Sequence, residues 1–195
     1  DAMTAAELSA AKIAIRSMGL DLPKVLGRRY AQAANMVQID RRKALQSARR
    51  SGGEMMQLPK QRAKPRRLNL VVLCDISGSM TRYSRMMMHF VHSMAQAQGQ
   101  SWAEVHSFTF GTRLHNISPL LTIKDPDAAL TSIGNHVRDW EGGTRIATSL
   151  GEFNRHWARR VLSTPSVVLL ITDGLEREGI TQLEAEISRL ALQTR

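Results

Sequence analysis

A run of five apolar residues that ends in carboxylate and hydroxyl side chains is the strongest constraint on the fold of this 195-residue chain. Residues 70–74 are apolar without alternation, which is typical of a strand buried on both faces in the middle of a parallel sheet. Asp75, Ser77 and Ser79 follow directly. In open α/β sheets the ligand site lies just beyond the carboxyl ends of the strands. Oxygen ligands of this kind suit Mg²⁺ or Mn²⁺ rather than zinc.

Two later stretches offer oxygen ligands at comparable positions. Gly142-Gly143-Thr144 precedes an amphipathic helical pattern, and a second apolar run, residues 167–171, ends in Thr172-Asp173-Gly174. Because a parallel sheet brings the carboxyl ends of its strands to one edge, we expect these groups to converge on one divalent cation. The expected metal ligands are Asp75, Ser77, Ser79, Thr144 and Asp173. A simpler alternative is that these Asp and Ser side chains only cap the helices that follow them.

The pattern Asp-x-Ser-x-Ser, then Thr, then Asp resembles the metal-ion-dependent adhesion site (MIDAS) of the von Willebrand factor A (VWA) domain in residue types and order. The resemblance implies a Rossmann-like α/β fold, with a mostly parallel central sheet, one antiparallel edge strand and helices on both faces. It also implies that Mg²⁺ (or Mn²⁺) is the cofactor and that an acidic residue of a partner protein completes the metal sphere.

The chain lacks the motifs of the enzyme classes that this loop chemistry would otherwise suggest. A nucleophilic Ser77 or Ser79 would need a histidine base, and none of the six histidines lies in a motif that places it there. Neither a Gly-x-Ser-x-Gly elbow nor a phosphate-binding Gly-x₄-Gly-Lys-Ser/Thr loop occurs. His89 and His92, three residues apart, are interpreted as packing residues rather than a metal pair. We therefore predict a protein that is not an enzyme.

Strand and helix patterns alternate from residue 68 onward. Strands are predicted near residues 68–75, 102–110, 113–117 and 165–172, with the third as the antiparallel edge strand and the last beside the first. Helices are predicted at 83–98, from Asp125-Pro126, around 146–157 and from Thr181. VWA domains usually continue with two more strands and a helix. The resemblance thus leads us to expect a fragment whose C-terminal strands and helix are missing, which would leave strand 165–172 at an edge.

All of the net charge of +10 belongs to the N-terminal third of the chain. Residues 1–67 contain 15 Lys/Arg and 5 Asp/Glu, whereas residues 68–195 contain 12 of each sign. We predict a boundary between a basic, largely helical segment, 1–67, and a VWA domain, 68–195. Helices are expected at 4–18, from Pro23 to about residue 34, and from an Asp40 cap to Gly52-Gly53. Residues 60–67 are predicted to be a solvated linker.

The basic segment is compatible with more than one kind of partner. Clustered Lys and Arg could neutralise the phosphates of a nucleic acid, which is the alternative function for this chain, or form a tether or a docking surface for an acidic protein. A single cysteine, Cys74, excludes an internal disulfide and favours a reducing compartment, so we predict a protein that is cytoplasmic, either free or peripheral to the inner membrane. No apolar run approaches the ~18 residues that a membrane helix needs.

Further stretches resemble the CoxE-like branch of bacterial VWA proteins. They are residues 39–42, 49–54, 74–80, 108–114, 125–130, 140–146 and 153–160, among them Phe108-Thr109-Phe110-Gly111 and Trp140-Glu141-Gly142-Gly143-Thr144. The resemblance implies an accessory protein that works with a MoxR-type AAA+ ATPase in the maturation of metalloenzymes such as carbon monoxide dehydrogenase and related molybdenum hydroxylases. The VWA domain would hold the ATPase or the client enzyme through the metal.

Overall fold

The chain divides into two compact units, of which one is Pro23–Arg67 and the other includes Leu68–Arg195. The computed structural model describes residues 25–32, 38–53, 58–77, 81–137, 145–175 and 179–194. The predicted helix at residues 4–18 lies outside these ranges. Each unit forms its own sheet.

The described residues of the N-terminal unit form a three-stranded antiparallel sheet and one helix. It contains β1 (Val25–Gln32), β2 (Gln38–Ile39), α1 (Arg41–Arg50) and β3 (Lys60–Arg66), and β3 lies between the other two strands. The helix begins as predicted, because the Asp40 side chain accepts a hydrogen bond from the Lys43 backbone N–H at 3.1 Å. After the helix, Gly52 and Gly53 adopt positive φ angles of 71° and 104°, a backbone that favours glycine.

Two predictions for this unit were wrong. The stretch after Pro23 forms strand β1 rather than a helix, and residues 60–66 form strand β3 rather than a solvated linker. The physical reason lies in pairing between distant segments, since β1 and β3 satisfy each other's backbone groups. Seven-residue β3 also alternates in burial, with Gln61 and Ala63 half-buried between exposed cations. Because β3 is mostly charged, its sequence shows no alternation of apolar and polar residues from which the strand could have been predicted.

The second unit is an α/β fold, and its described residues form a sheet of four strands. In chain order its elements are β4 (Asn69–Asp75), α2 (Thr81–Gln96), β5 (Val105–Phe110), β6 (Leu114–Asn116), a 3₁₀ turn (Leu120–Thr122), α3 (Pro126–His136), α4 (Ile146–His156), α5 (Ala158–Val161), β7 (Ser166–Ile171) and α6 (Ile180–Gln193). The strand order is β6-β5-β4-β7. Strand β4 pairs in parallel with β5 and β7, and β6 pairs antiparallel to β5. The predicted fold class is confirmed.

Strand β4 is buried on both faces, as its uninterrupted apolar run predicts. Leu70, Val72 and Cys74 face a core that includes Met88 of α2 and Ile133 of α3. The alternate residues of β4 face a second core, formed mainly with α4 and β5. This second core contains Val71, Leu73, Phe108, Phe110, Ile146, Leu150, Phe153, Ala158, Val161, Leu162 and Leu190. Helices therefore cover both faces of the sheet, and the carboxyl end of β4 opens at the centre of its edge.

Strand β7 lies at the end of the described sheet, beside β4. Its residues 167–171 are only half-buried, although they are as apolar as those of β4. Helix α6, which follows β7, is held to α4 by Asn154, whose amide donates to the backbone oxygen of Glu186 at 3.0 Å and to its carboxylate at 2.7 Å. Gly151 leaves room for this contact, since a Cβ there would lie 3.4 Å from the Glu186 carboxyl carbon.

Candidate metal centre

The carboxylate of Asp75 is the centre of the candidate site. Asp75 is the last residue of β4 and has no solvent-exposed surface. One carboxylate oxygen, Oδ1, accepts a hydrogen bond from the Ser77 backbone N–H at 2.8 Å. The other, Oδ2, accepts one from the Thr172 hydroxyl at 3.0 Å. These two donors hold the carboxylate in place at the carboxyl end of β4. Ser77, two residues after Asp75, is also buried.

Thr172 joins two of the loops that were predicted to meet. Cys74 pairs with Ile171 in the parallel register of β4 and β7, so Thr172 follows at the level of Asp75. Its hydroxyl also accepts a hydrogen bond from the Gly174 backbone N–H at 3.1 Å. Sequence reasoning did not assign a role to Thr172. The signal that could have found it is the register of the two apolar runs, which places a donor beside the first Asp.

Asp173, the second predicted carboxylate ligand, differs from Asp75 in being exposed to solvent. Its Oδ1 accepts a hydrogen bond from the Leu175 backbone N–H at 3.1 Å, which closes a tight turn after β7. Gly174 takes a φ of 78° in that turn, a conformation that favours glycine. The structure thus places Asp173 one residue beyond the Thr172 that contacts Asp75.

Helix α4, which follows the third predicted loop in the sequence, begins next to the end of β5. The Arg145 backbone N–H donates to the Gly111 carbonyl at 3.1 Å, and the Ile76 backbone N–H donates to the Phe110 carbonyl at 3.0 Å. Both contacts lie at the carboxyl end of β5, which neighbours β4. Thr144, the residue before Arg145, and Ser79 lie outside the described residues. The structure therefore brings Asp75, Ser77 and Asp173 to one sheet edge and leaves Ser79 and Thr144 as predictions.

The electrostatics of the site suit a cation with oxygen ligands. In the described part of the chain no Lys, Arg or His side chain forms an ion pair with the buried Asp75. Burial, with a smaller contribution from Asp75, raises the pKa of the Cys74 thiol to about 12. Because Cys74 keeps its proton at neutral pH, it offers no thiolate to a soft metal. Carboxylates and hydroxyls remain, which are the ligands that Mg²⁺ and Mn²⁺ prefer.

Other kinds of metal cluster do not occur among the residues that the structure describes. No group of three or more His, Cys, Asp or Glu side chains converges there in a way that could hold an ion. His92, on helix α2, lies with its Nε2 2.8 Å from the Ile123 carbonyl, so it serves packing as predicted. The same described ranges contain no helix with the length and apolarity required to span a bilayer.

Two solved structures of one protein resemble this chain in fold. They are crystal structures of proximal thread matrix protein 1 from the mussel byssus, one of crystal form 2 and one described as having a zinc-occupied MIDAS motif. Each is 20% identical in sequence, with a TM-score of 0.47, over 66% of this chain. This chain spans 36% of the length of that protein. A comparison with curated proteins gave no match.

The family comparison covers both units of the chain. The family described as "VWA domain containing CoxE-like protein" matches residues 11–195. This agrees with the α/β sheet, with the carboxylate at the end of its central strand, and with the order of the predicted ligands. The chain belongs to the family of VWA domain containing CoxE-like proteins.

Proposed function

We propose that this protein binds one divalent cation, Mg²⁺ or Mn²⁺, at a MIDAS and uses the bound ion to grip a carboxylate of a partner protein. The proposed ligands are Asp75, Ser77, Ser79, Thr144 and Asp173. In this proposal the chain is a non-catalytic accessory protein, and its partner supplies the acidic residue that completes the coordination of the metal.

The observation that carries the proposal is the buried carboxylate of Asp75. An ionised carboxylate removed from water is costly unless it is paired, and two hydrogen bonds compensate only part of that cost. A divalent cation beside Asp75 would supply the missing positive charge. Hydroxyl ligands add no charge, so two carboxylates would neutralise the ion without filling its six positions.

The two carboxylates differ in exposure, so the proposed site has a buried side and a side that faces solvent. Asp75 closes the inner side, whereas Asp173 lies at the surface. A cation held between them would be reachable from solvent on the Asp173 side. A ligand position on that side is where a partner's carboxylate would enter.

The accessory role rests on the family to which the chain belongs. We propose that the partner is a MoxR-type AAA+ ATPase or a metalloenzyme client of the carbon monoxide dehydrogenase or molybdenum hydroxylase type. The ATPase would supply the energy for maturation of the client, and this chain would hold one of the two through the metal. We place the interaction in the bacterial cytoplasm, at or near the inner membrane, which fits the buried free thiol of Cys74.

Metal binding is tested by calorimetric titration of the metal-stripped protein with MgCl₂ and MnCl₂. We expect one site in the wild type and none in Asp75→Asn, which keeps the shape and removes the charge. Asp127→Asn is the matched control, because Asp127 is an exposed carboxylate at the start of helix α3 that pairs with Arg85 of helix α2 at 3.3 Å and is not a proposed ligand. At 100 times the dissociation constant, the metal should stabilise the wild type by about 2.7 kcal/mol.

The same variants decide whether charge or shape matters at Asp75. In EDTA we expect Asp75→Asn to be about as stable as the wild type, because it removes a buried charge that the two hydrogen bonds compensate only in part. The proposed metal site is refuted if neither ion raises the melting temperature of the wild type. It is also refuted if the ions raise the melting temperature of Asp75→Asn as much as that of the wild type. Capture of partners from a native lysate in Mg²⁺ and in EDTA then tests whether the ion bridges to the partner.

A further inference from the structure

Strand β3 carries its positive charges on one face of the N-terminal sheet. Side chains alternate between the two faces of a strand, so Lys60, Arg62, Lys64 and Arg66 share one face. All four are exposed. Residues two apart in a strand lie roughly 6.6 Å apart, so the four cations form a row about 20 Å long. We call this row the cationic face of β3.

Three of the four cations of this face lie opposite neutral residues of the adjacent strands. In the antiparallel register Arg66 lies opposite Val25, Arg62 opposite Ala31, and Lys60 opposite Ile39. Residues directly opposite in a sheet project to the same face. None of the four cations forms an ion pair within the residues that the structure describes. The row is therefore open to an anionic partner, with small and apolar side chains beside three of its cations and the β1 bulge, which contains the exposed Arg29, beside Lys64.

The aromatic residue of this sheet lies on the opposite face. Tyr30 pairs with Ala63, which alternates with the cations, and Tyr30 is 48% exposed. Surfaces that bind single-stranded nucleic acids combine cations with aromatic side chains on which bases stack. The separation of Tyr30 from the cationic face removes that combination here, which favours an acidic protein segment over a single-stranded nucleic acid.

We propose that the cationic face of β3 binds an acidic segment of a partner protein in an extended conformation, with carboxylates at alternate residues. An extended chain has the same two-residue repeat and the same twist as β3, so its carboxylates stay in register with all four cations. This contact is made without the metal. It differs in that respect from the function proposed above, and EDTA should leave it intact.

The test measures binding of the full chain to fluorescent peptides by anisotropy, in EDTA at 50 mM and 150 mM salt. The probe is an alternating (Glu-Thr)₅ peptide, and a block peptide of the same composition is its control. The test variant replaces all four cations of the face with Gln (K60Q, R62Q, K64Q, R66Q). The matched control makes the same net charge change on the exposed cations of helix α1 (R41Q, R42Q, R49Q, R50Q).

We expect the wild type to bind the alternating peptide at least tenfold more tightly than the block peptide. The β3 variant should lose about tenfold or more of that affinity, and the α1 variant should lose less than threefold. An α1 variant that loses as much, or a block peptide that binds as well, shows only a diffuse charge effect and overturns the proposal. Tighter binding of a single-stranded oligonucleotide or of anionic lipid vesicles, measured at the same salt, overturns it as well. Circular dichroism checks the fold of each variant. If the fourfold β3 variant fails to fold, the doubly substituted R62Q/K64Q variant is tested in its place.

Discussion

Replacing Thr172 by Val tests whether the hydroxyl that reaches Asp75 prepares the metal site. Valine keeps the size and the β-branched shape of threonine and removes the hydroxyl, which is both a donor and an acceptor. In the wild type, the Thr172 hydroxyl donates to Asp75 Oδ2 at 3.0 Å and accepts from the Gly174 backbone N–H at 3.1 Å. The substitution therefore removes one of two hydrogen bonds to a fully buried carboxylate and loosens the turn that carries Asp173.

The expected size of the effect follows from the charge on the acceptor. A hydrogen bond to a charged group contributes about 1.5–3 kcal/mol. In EDTA, the free energy of unfolding of Thr172→Val should fall by about this amount, because the buried carboxylate loses a donor. The ion would then meet a carboxylate that is less well oriented. Removal of such supporting hydrogen bonds typically weakens metal binding by about 10- to 100-fold.

Two control variants separate the hydroxyl from other consequences of the change. Thr172→Ser keeps the donor and should bind Mn²⁺ within about threefold of the wild type. Thr131→Val removes a threonine hydroxyl from the surface of helix α3, where it donates to the Asp127 carbonyl at 2.8 Å, and should leave the metal affinity unchanged. Binding is measured by calorimetry and stability by urea unfolding, both with and without metal.

The reasoning is refuted if Thr172→Val binds Mn²⁺ within twofold of the wild type while its fold is intact. In that case the contact between Thr172 and Asp75 stabilises the sheet edge only. It is equally refuted if Thr172→Ser loses as much affinity as the valine variant, since the hydroxyl would then not be the group that matters.

Two further predictions concern the core around the site. The Cys74 thiol keeps its proton up to a pKa of about 12 in the folded protein but releases it near 9.0 when unfolded, so the unfolded state binds fewer protons between these values. The free energy of unfolding of the wild type should therefore fall as the pH rises through that range, by on the order of 1 kcal/mol per pH unit, and Cys74→Ala should show a shallower decline in urea unfolding. Phe108→Ala should cost about 3–5 kcal/mol in urea unfolding, because the Phe108 ring is buried with its centroid 5.2 Å from those of both Phe153 and Trp157. A loss below 1 kcal/mol would contradict this account of the packing.

The central part of the fold was predictable because its signals are local and agree with one another. The unbroken apolar run of β4 predicted a strand buried on both faces, and the capping pair Asp125-Pro126 predicted the start of α3. The Asp125 side chain accepts from the Ala128 backbone N–H at 3.1 Å, as a cap should. Once β4 and β7 are recognised as parallel neighbours, the meeting of Asp75 with the loop after β7 follows from the topology.

The N-terminal unit was not predictable in the same way, because its strands depend on pairing between distant segments. Strand β1 contains Leu, Arg, Ala and Gln, residues that favour helices when judged locally. Its partner β3 is mostly charged, so no apolar alternation announced it. A bulge between Leu26 and Tyr30 further breaks the period of β1. Gly27 lies so close to β3 that a Cβ would be 3.2 Å from the Lys64 carbonyl, a contact that only the folded pair makes evident.

The two sites proposed for this chain would recognise acidic partners by different physics. At the sheet edge a buried, hydrogen-bonded carboxylate would hold one doubly charged ion, so recognition would depend on a single coordination bond and would end when the metal is chelated. On β3 the four cations are exposed to solvent along a row. Each ion pair with a carboxylate of the partner would therefore contribute little binding free energy, and salt would screen it. A partner protein that offers both a carboxylate for the ion and an acidic segment for β3 would use both sites. The affinity for such a partner should fall sharply when EDTA is added, and the affinity that remains should fall gradually as the salt concentration rises. Both responses together would distinguish use of both sites from use of either site alone.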